Sequence, residues 1–273
     1  MIFAVNYHYI RNSFEAPYPS IFGKTPEDFE KQLLEFKRIG SFASANDLHT
    51  AITKGTSLPE KTFLITFDDG LAEQYELAWP VLKKHSIPAV FFINTKVLET
   101  PVVLNVHRIH LVRSVVSPKD LSHQFKAALK DDALIQDTGE IRKRGVAHYL
   151  YDTPEVAELK YLMNFIVPPA ELNNIMNDIF CDVFGKKEEE IHSRLYMNKE
   201  QVKELGEFGF IGSHGHDHLP MGLLTLEEQK MQAGKSKLIL EQVIGAEING
   251  FSYPYGSLDS TKGMPEITDA ISS

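Results

Sequence analysis

Thr62-Phe63-Leu64-Ile65-Thr66-Phe67-Asp68-Asp69-Gly70 is the stretch on which the fold turns. Its first six residues form an apolar, β-branched and aromatic run of strand length, and two carboxylates and a glycine end it abruptly. Gly70 permits the sharp turn needed there. A helical pattern follows from about Ala72 to His85, interrupted or bent near Trp79-Pro80, where proline removes a backbone donor. A second apolar run, Ala89-Val90-Phe91-Phe92-Ile93, comes next. Strand, helix, strand, with continuous apolar runs in place of alternation, predicts parallel strands joined by crossovers.

The same rhythm extends in both directions. Upstream, Ile2 to Tyr7 reads as a buried strand that empties into His8 and Tyr9. Thr25-Pro26-Glu27-Asp28 supplies an N-cap, a proline at the first helical position and acids in the first turn. The helix it starts carries Phe29, Leu33, Leu34 and Phe36 on one face, and a shorter helix is expected from Ala45 to Thr53. Downstream, about 96–196 is helical in pattern throughout, far beyond loop length, and reads as an insertion. Alternation resumes with a helix from Asn198 to Glu207, a strand Phe208-Gly209-Phe210-Ile211, and a long helix opened by the capping box Thr225 to Glu228. A short strand, Ile248 to Ser252, leads into Tyr253-Pro254-Tyr255-Gly256, and one more helical pattern lies at Pro265 to Ile271. The expected fold class is α/β, a distorted (β/α) barrel of 1–95 and 197–273 with a mainly helical insertion of 96–196.

Composition narrows the function classes. With 28 Lys and Arg against 37 Asp and Glu, the formal net charge is -9, which argues against a nucleic-acid partner and an anionic membrane surface. No run approaches the roughly 18 apolar residues of a membrane helix, and the N-terminus lacks a signal-peptide pattern, so the expected location is cytoplasmic. The single cysteine, Cys181, rules out an intramolecular disulfide framework and sits in an apolar helical stretch, where core packing is expected.

Four apolar strands end in polar or aromatic residues: Tyr7-His8, Asp68-Asp69, Ser213 to His218, and Tyr253 to Tyr255. In a parallel β/α barrel such ends share one face, where active sites form. Asp-Asp-Gly in isolation is usually a plain turn, and loop histidines are usually only solvated. Placement directly after apolar strands favours chemistry for both. Asp68 and Asp69 are adjacent, so their side chains diverge and one can ligate while the other serves as a base. One aspartate with His214 and His218 makes a two-histidine, one-carboxylate set suited to zinc or another divalent transition metal. His216 and Asp217 are left to solvent or to a supporting partner. His107 and His110 lie three apart on a helix face, where packing or substrate lining is favoured over a second metal site. Trp79 is expected in the core.

Thr66-Phe67-Asp68-Asp69-Gly70 resembles the first motif of the polysaccharide deacetylases (NodB-homology domain, carbohydrate esterase family 4). His214-Gly215-His216-Asp217-His218 is similar to their second motif, His-Ser/Thr-x-x-His. Phe251-Ser252-Tyr253-Pro254-Tyr255-Gly256 resembles the third, Arg-x-Pro-Tyr, with Ser252 in the arginine position. The resemblance covers about 1–95 and 197–260. It implies that Asp69, His214 and His218 bind the metal, that Asp68 is the general base, and that the backbone N–H of Tyr255 stabilises the oxyanion. Ser252 cannot supply the guanidinium that usually tethers the base. No histidine follows His218, whereas the family usually carries its acid histidine late. Tyr7-His8 is similar to the Tyr-His pair of circularly permuted members resembling the poly-N-acetylglucosamine deacetylases, which makes His8 the expected acid.

The implied activity is metal-dependent removal of an N-acetyl group from a sugar or glycan, with a divalent ion, zinc foremost, as cofactor and an N-acetylated sugar as partner. Oligomeric state is left open. Two alternatives stand beside it: an amidase acting on a non-sugar amide, and a catalytically impaired carbohydrate-binding or scaffold member of the same fold.

Overall fold

A computed structural model of the chain describes residues 1–130 and 138–256; the helical pattern at 265–271 lies outside the described residues. In chain order the elements are β1 (Ile2–Tyr7), β2 (Tyr9–Ile10), β3 (Gly23–Lys24), α1 (Pro26–Ile39), β4 (Ser41–Phe42), α2 (Ala45–Lys54), β5 (Thr62–Phe67), a π-helical turn (Gln74–Ala78), α3 (Trp79–His85), β6 (Ala89–Ile93) and α4 (Lys96–Glu99). Helices α5 (Asn105–Val115), α6 (Pro118–Ala128), α7 (Thr138–His148), α8 (Pro154–Tyr161), α9 (Pro169–Phe184) and α10 (Glu188–Leu195) follow. The described chain then runs through α11 (Lys199–Glu207), β7 (Ile211–Ser213) and α12 (Leu226–Ile244). It divides into two compact units: 1–14, 22–102 and 190 onward in the first, 15–21 and 103–189 in the second.

The first unit is built on a parallel sheet in the order β1-β5-β6-β7, with β4 also pairing β5. The class is therefore α/β, as expected; among the described residues no pairing closes the sheet into a barrel. β5 is central because β1 pairs along all of it, from Ile2 opposite Thr62 to Tyr7 opposite Phe67. Its other edge is shared, by β4 at Thr62 and Phe63 and by β6 at Ile65 to Phe67. The core gathers on these strands and their helices, including Phe29, Leu33, Ile65, Phe67, Leu82, Phe91 and Ile93. Phe67 stacks on Phe91 at 4.7 Å and on Tyr7 at 5.5 Å between ring centroids. β1 departs from expectation: Ile2 and Phe3 are 47% and 39% exposed, because among the described residues β1 ends the strand order and only its last residue, Tyr7, is fully buried.

Local chemistry explains most element ends. Thr25 Oγ1 accepts from the Asp28 N–H at the start of α1, and Ser44, Asn198 and Thr225 each close a capping box. On α1, Phe29 and Leu33 are buried, but Leu34 is 45% exposed; it lies one residue, about 100°, past the buried stripe. The break expected near Trp79-Pro80 is the π turn, in which the Trp79 N–H donates to the carbonyl of Gln74, five residues back. Pro80, with no N–H to give, follows directly. The strand expected at 208–211 begins only at Ile211, because Phe208 and Gly209 make the turn that ends α11, with Gly209 at φ 70°. The strand expected at 248–252 contracts to a bridge between Ser213 and Phe251.

The second unit contains helices and no strand among its described residues. Arg108, 4% exposed, donates from Nη2 to Glu188 at 2.6 Å and from Nη1 to Asn173 at 3.2 Å. Cys181 corrects the expectation of core packing: it is exposed. Leu172, Ile175, Met176, Ile179 and Phe180 form the buried side of α9, and Cys181 lies beyond it. Trp79 is core, 4% exposed. No helix among the described residues is long and apolar enough to cross a membrane.

Gly212 shows how tightly β6 and β7 pack: a Cβ there would lie 2.5 Å from two ring carbons of Phe92. Gly212→Ala is expected to destabilise the protein by about 1–3 kcal/mol through overpacking, measured by urea unfolding. Adding Phe92→Leu should recover part of the loss; a Gly212→Ala protein as stable as wild type would contradict this packing.

Candidate functional site

β1, β5, β6 and β7 are parallel, so His8, Asp68, Asn94 and His214, each the first residue after its strand, emerge at one sheet edge. Backbone bonds stitch these exits together. The Asp68 N–H donates to the Tyr7 carbonyl at 3.1 Å and the His214 N–H to the Ile93 carbonyl at 3.0 Å. The Ser252 N–H donates to the Ser213 carbonyl at 2.9 Å, which carries the third aromatic motif to the same edge.

Asp69, His214 and His218 are all buried and each offers a ligand atom within 4.8 Å of the other two; among the described residues this is the group that could hold a metal ion. Asp69 Oδ1 lies 3.2 Å from His218 Nε2 and 3.5 Å from His214 Nε2. Ligand bonds of about 2.1 Å in a tetrahedral zinc site give ligand-to-ligand edges of about 3.4 Å, so the two distances fit such an ion. The tautomer of His214 fits as well. Its Nδ1 is 2.8 Å from the Ser252 carbonyl, which can only accept, so the proton is on Nδ1 and the Nε2 lone pair points toward Asp69. Burial holds the His214 pKa below its ordinary value against the opposing charges of Asp68 and Asp69, which favours the neutral, ligating imidazole.

The backbone at this centre is strained. Asp69, His218 and Tyr255 have φ of 80°, 55° and 67°, the left-handed region that side chains with a Cβ avoid. The ring of Tyr255 packs edge-on against His218 at 4.9 Å.

Asp68 serves a separate group. Its Oδ2 accepts from Asn6 Nδ2 at 2.8 Å and lies 3.9 Å from His8 Nε2. Its Oδ1 is buried with no hydrogen-bond partner among the described residues. The His8 side chain is 44% exposed. Buried Gln74 donates from Nε2 to the carbonyls of both His8 and Asp68, at 2.8 Å and 2.6 Å.

His216 is 7% exposed, which removes the solvent alternative. Lys235 Nζ, which can only donate, lies 2.8 Å from His216 Nε2, so Nδ1 carries the proton and donates to Thr95 Oγ1 at 2.9 Å. Asp217 bonds Lys96 Nζ and Gln232 Nε2, each at 2.7 Å. Both residues pin the loop that carries His214 and His218. His107, fully buried on α5, lies 6.2 Å from His110 between ring centroids; neither belongs to a three-residue ligand group among the described residues.

Sequence reasoning misses Asn6, Gln74 and Tyr9. Asn6 is a polar residue inside an apolar strand, on the same face as His8 by the two-residue period. Gln74 gains its role from the π turn, which no periodicity signals. Tyr9 is buried, and burial together with the charge of Asp69 pushes its pKa well above the ordinary phenol value.

The polysaccharide deacetylase model matches residues 55–137 and 184–265, more than half of the 273 residues. The chain belongs to the polysaccharide deacetylase family. Its fold is similar to that of the Streptococcus pyogenes deacetylase PplD in complex with acetate, with a TM-score of 0.55 and 16% identity over 98% of this chain and 79% of that one. IcaB from Ammonifex degensii gives 0.54 and 17% over 99% and 79%. The de-N-acetylase from Aggregatibacter actinomycetemcomitans gives 0.51 and 17% over 96% and 84%. No curated protein sequence matches.

Zinc titrated into metal-free protein is expected to bind at one site and to raise Tm by about 5–10 °C when free zinc exceeds Kd a hundredfold. Asp69→Ala and His218→Ala should each abolish that rise in differential scanning calorimetry, whereas Asp68→Asn should keep it. Retention of the full shift by both ligand variants would rule out this coordination set.

Proposed function

We propose that the protein is a metal-dependent hydrolase that removes the acetyl group from an N-acetylated sugar or glycan. One observation carries the reading: buried Asp69, His214 and His218 sit within ligand distance of each other at the sheet edge where Asp68 and His8 also emerge. Membership of the polysaccharide deacetylase family supports an acetylated carbohydrate as substrate. The deacetylase-like unit in this reading is 1–95 and 197–273, interrupted by the helical insertion of 96–196.

The residues divide the work. Asp69, His214 and His218 hold the ion, with zinc the proposed one given two imidazoles and a carboxylate. When bound, it would supply a Lewis acid for the acetyl carbonyl and a lowered pKa for the attacking water. Asp68 is the general base that takes a proton from that water as oxygen adds to the carbonyl carbon. The backbone N–H of Tyr255 stabilises the negative charge that develops on the carbonyl oxygen. His8 donates a proton to the nitrogen as the C–N bond breaks, leaving acetate and a free amine. Its exposure suits contact with a substrate arriving from solvent, and it lies 3.9 Å from Asp68 Oδ2.

Acetate release from a panel of N-acetylated sugars by the zinc-loaded protein tests the proposal. Asp68→Asn and His8→Ala should each lower kcat by about 10²–10⁴-fold without loss of bound zinc. Zinc-loaded protein that releases no acetate from any amide would defeat the hydrolase reading and leave the binding alternative. Release from simple amides but from no sugar would indicate the amidase.

A further inference from the structure

We infer that Asn6 is the positioning residue of the base: it holds one oxygen of Asp68 so that the other faces the reaction. The inference rests on the proposed role of Asp68. In β1 and β5, Asn6 pairs in register with Thr66. By the two-residue period of a strand, Asn6 and His8 share a face, and so do Thr66 and Asp68. All four therefore project to one side of the sheet.

Within this group each hydrogen bond fixes the next. The Asp68 carboxylate, which only accepts when ionised, takes the amino end of Asn6, with Nδ2 donating to Oδ2 at 2.8 Å; this settles which end of the amide is oxygen. The oxygen end is thereby turned to Thr66, whose hydroxyl donates to Asn6 Oδ1 at 3.1 Å. Asp68 and Thr66 are 6% and 7% exposed, so two of the three members are shielded from competing water, although Asn6 itself is exposed. With Oδ2 engaged, Oδ1, buried and without a partner among the described residues, is the oxygen that accepts the proton of the attacking water. Asp68 is neutralised by that proton, and the water oxygen bonds to the acetyl carbon.

The family resemblance implies this task for a guanidinium at position 252; here it falls to Asn6 on β1. An amide is neutral and bonds through one N–H, whereas arginine brings a full charge and a planar fork. Ser252 contributes through its carbonyl, which holds His214. The tether of the base thus comes from β1, and the orientation of the ligand histidine from the segment just after the Ser213–Phe251 bridge.

The test compares wild type, Asn6→Ala, Thr66→Val and Thr66→Ser in the full chain, each loaded with zinc. Loss of a hydrogen bond to a carboxylate is expected to lower kcat about tenfold in Asn6→Ala, with KM for an N-acetylated sugar, zinc affinity by calorimetry and Tm all unchanged. Thr66→Val should lower kcat less, Thr66→Ser should restore it, and the Asn6→Ala/Thr66→Val double variant should fall no further than Asn6→Ala alone. Crystal structures of wild type and Asn6→Ala supply a readout independent of turnover: the Asp68 carboxylate should rotate away from its wild-type orientation. A wild-type rate in Asn6→Ala, or a drop in kcat matched by weaker zinc binding or lower Tm, overturns the inference while leaving the hydrolase reading intact. If wild type releases no acetate, the hydrolase reading fails, and an unmoved Asp68 carboxylate in Asn6→Ala then overturns the tether by itself.

Discussion

β5 is held on both edges, and the candidate site depends on that. β1 runs beside its whole length, while β4 and β6 divide the opposite edge between them. A strand clamped in this way cannot slip by one residue without turning every side chain to the other face, so Asp68 and Asp69 leave the sheet at a fixed height and in a fixed order. Beneath them, the Tyr7, Phe67 and Phe91 rings lie one against the next. Tyr7 and Phe67 immediately precede His8 and Asp68, so this aromatic floor sets the level from which two of the polar residues rise.

Above the floor, the groups bonded directly to His8, Asp68 and His214 are neutral side chains or backbone, while the cations Lys96 and Lys235 act one step out, on Asp217 and His216. Gln74 ties the main chains of His8 and Asp68, Asn94 Nδ2 holds the His214 carbonyl at 2.6 Å, and the Ser252 carbonyl holds the His214 ring. Asn6 holds the Asp68 carboxylate. Such donors and acceptors fix geometry without adding net charge beside a carboxylate and imidazole cluster.

The legible parts of the molecule were those with local causes. The apolar runs of β5 and β6 have strand length and sharp polar ends, and their boundaries are readable directly. The capped helices α1, α11 and α12 declare their starts through Thr25, Asn198 and Thr225. Asp69, His214 and His218 could be singled out because metal-binding side chains at strand exits are conspicuous in composition and because their motifs resemble a family. The exposure of Ile2 and Phe3 was not readable, since apolarity in a strand does not reveal whether the strand ends the sheet. Nor was that of Cys181, which lies one residue from the buried side of its helix. The bond between Asn6 and Asp68 joins residues 62 positions apart and becomes predictable only once the register of β1 on β5 is known. The π turn that aims Gln74 depends on a choice between hydrogen bonds four and five residues back, which the residue pattern leaves undetermined.

The left-handed backbone at Asp69, His218 and Tyr255 bears on how such a centre can change over generations. Residues held there cost about 1–3 kcal/mol each, and three together approach the whole net stability of an ordinary domain, about 5–15 kcal/mol. Glycine would relieve the strain at any of them, so drift toward a sturdier protein runs through the loss of a candidate ligand or of the aromatic ring beside it. A descendant that had given up the proposed chemistry would therefore be expected to carry its first marks in these three positions, as small residues in turns, long before the sheet itself recorded any difference.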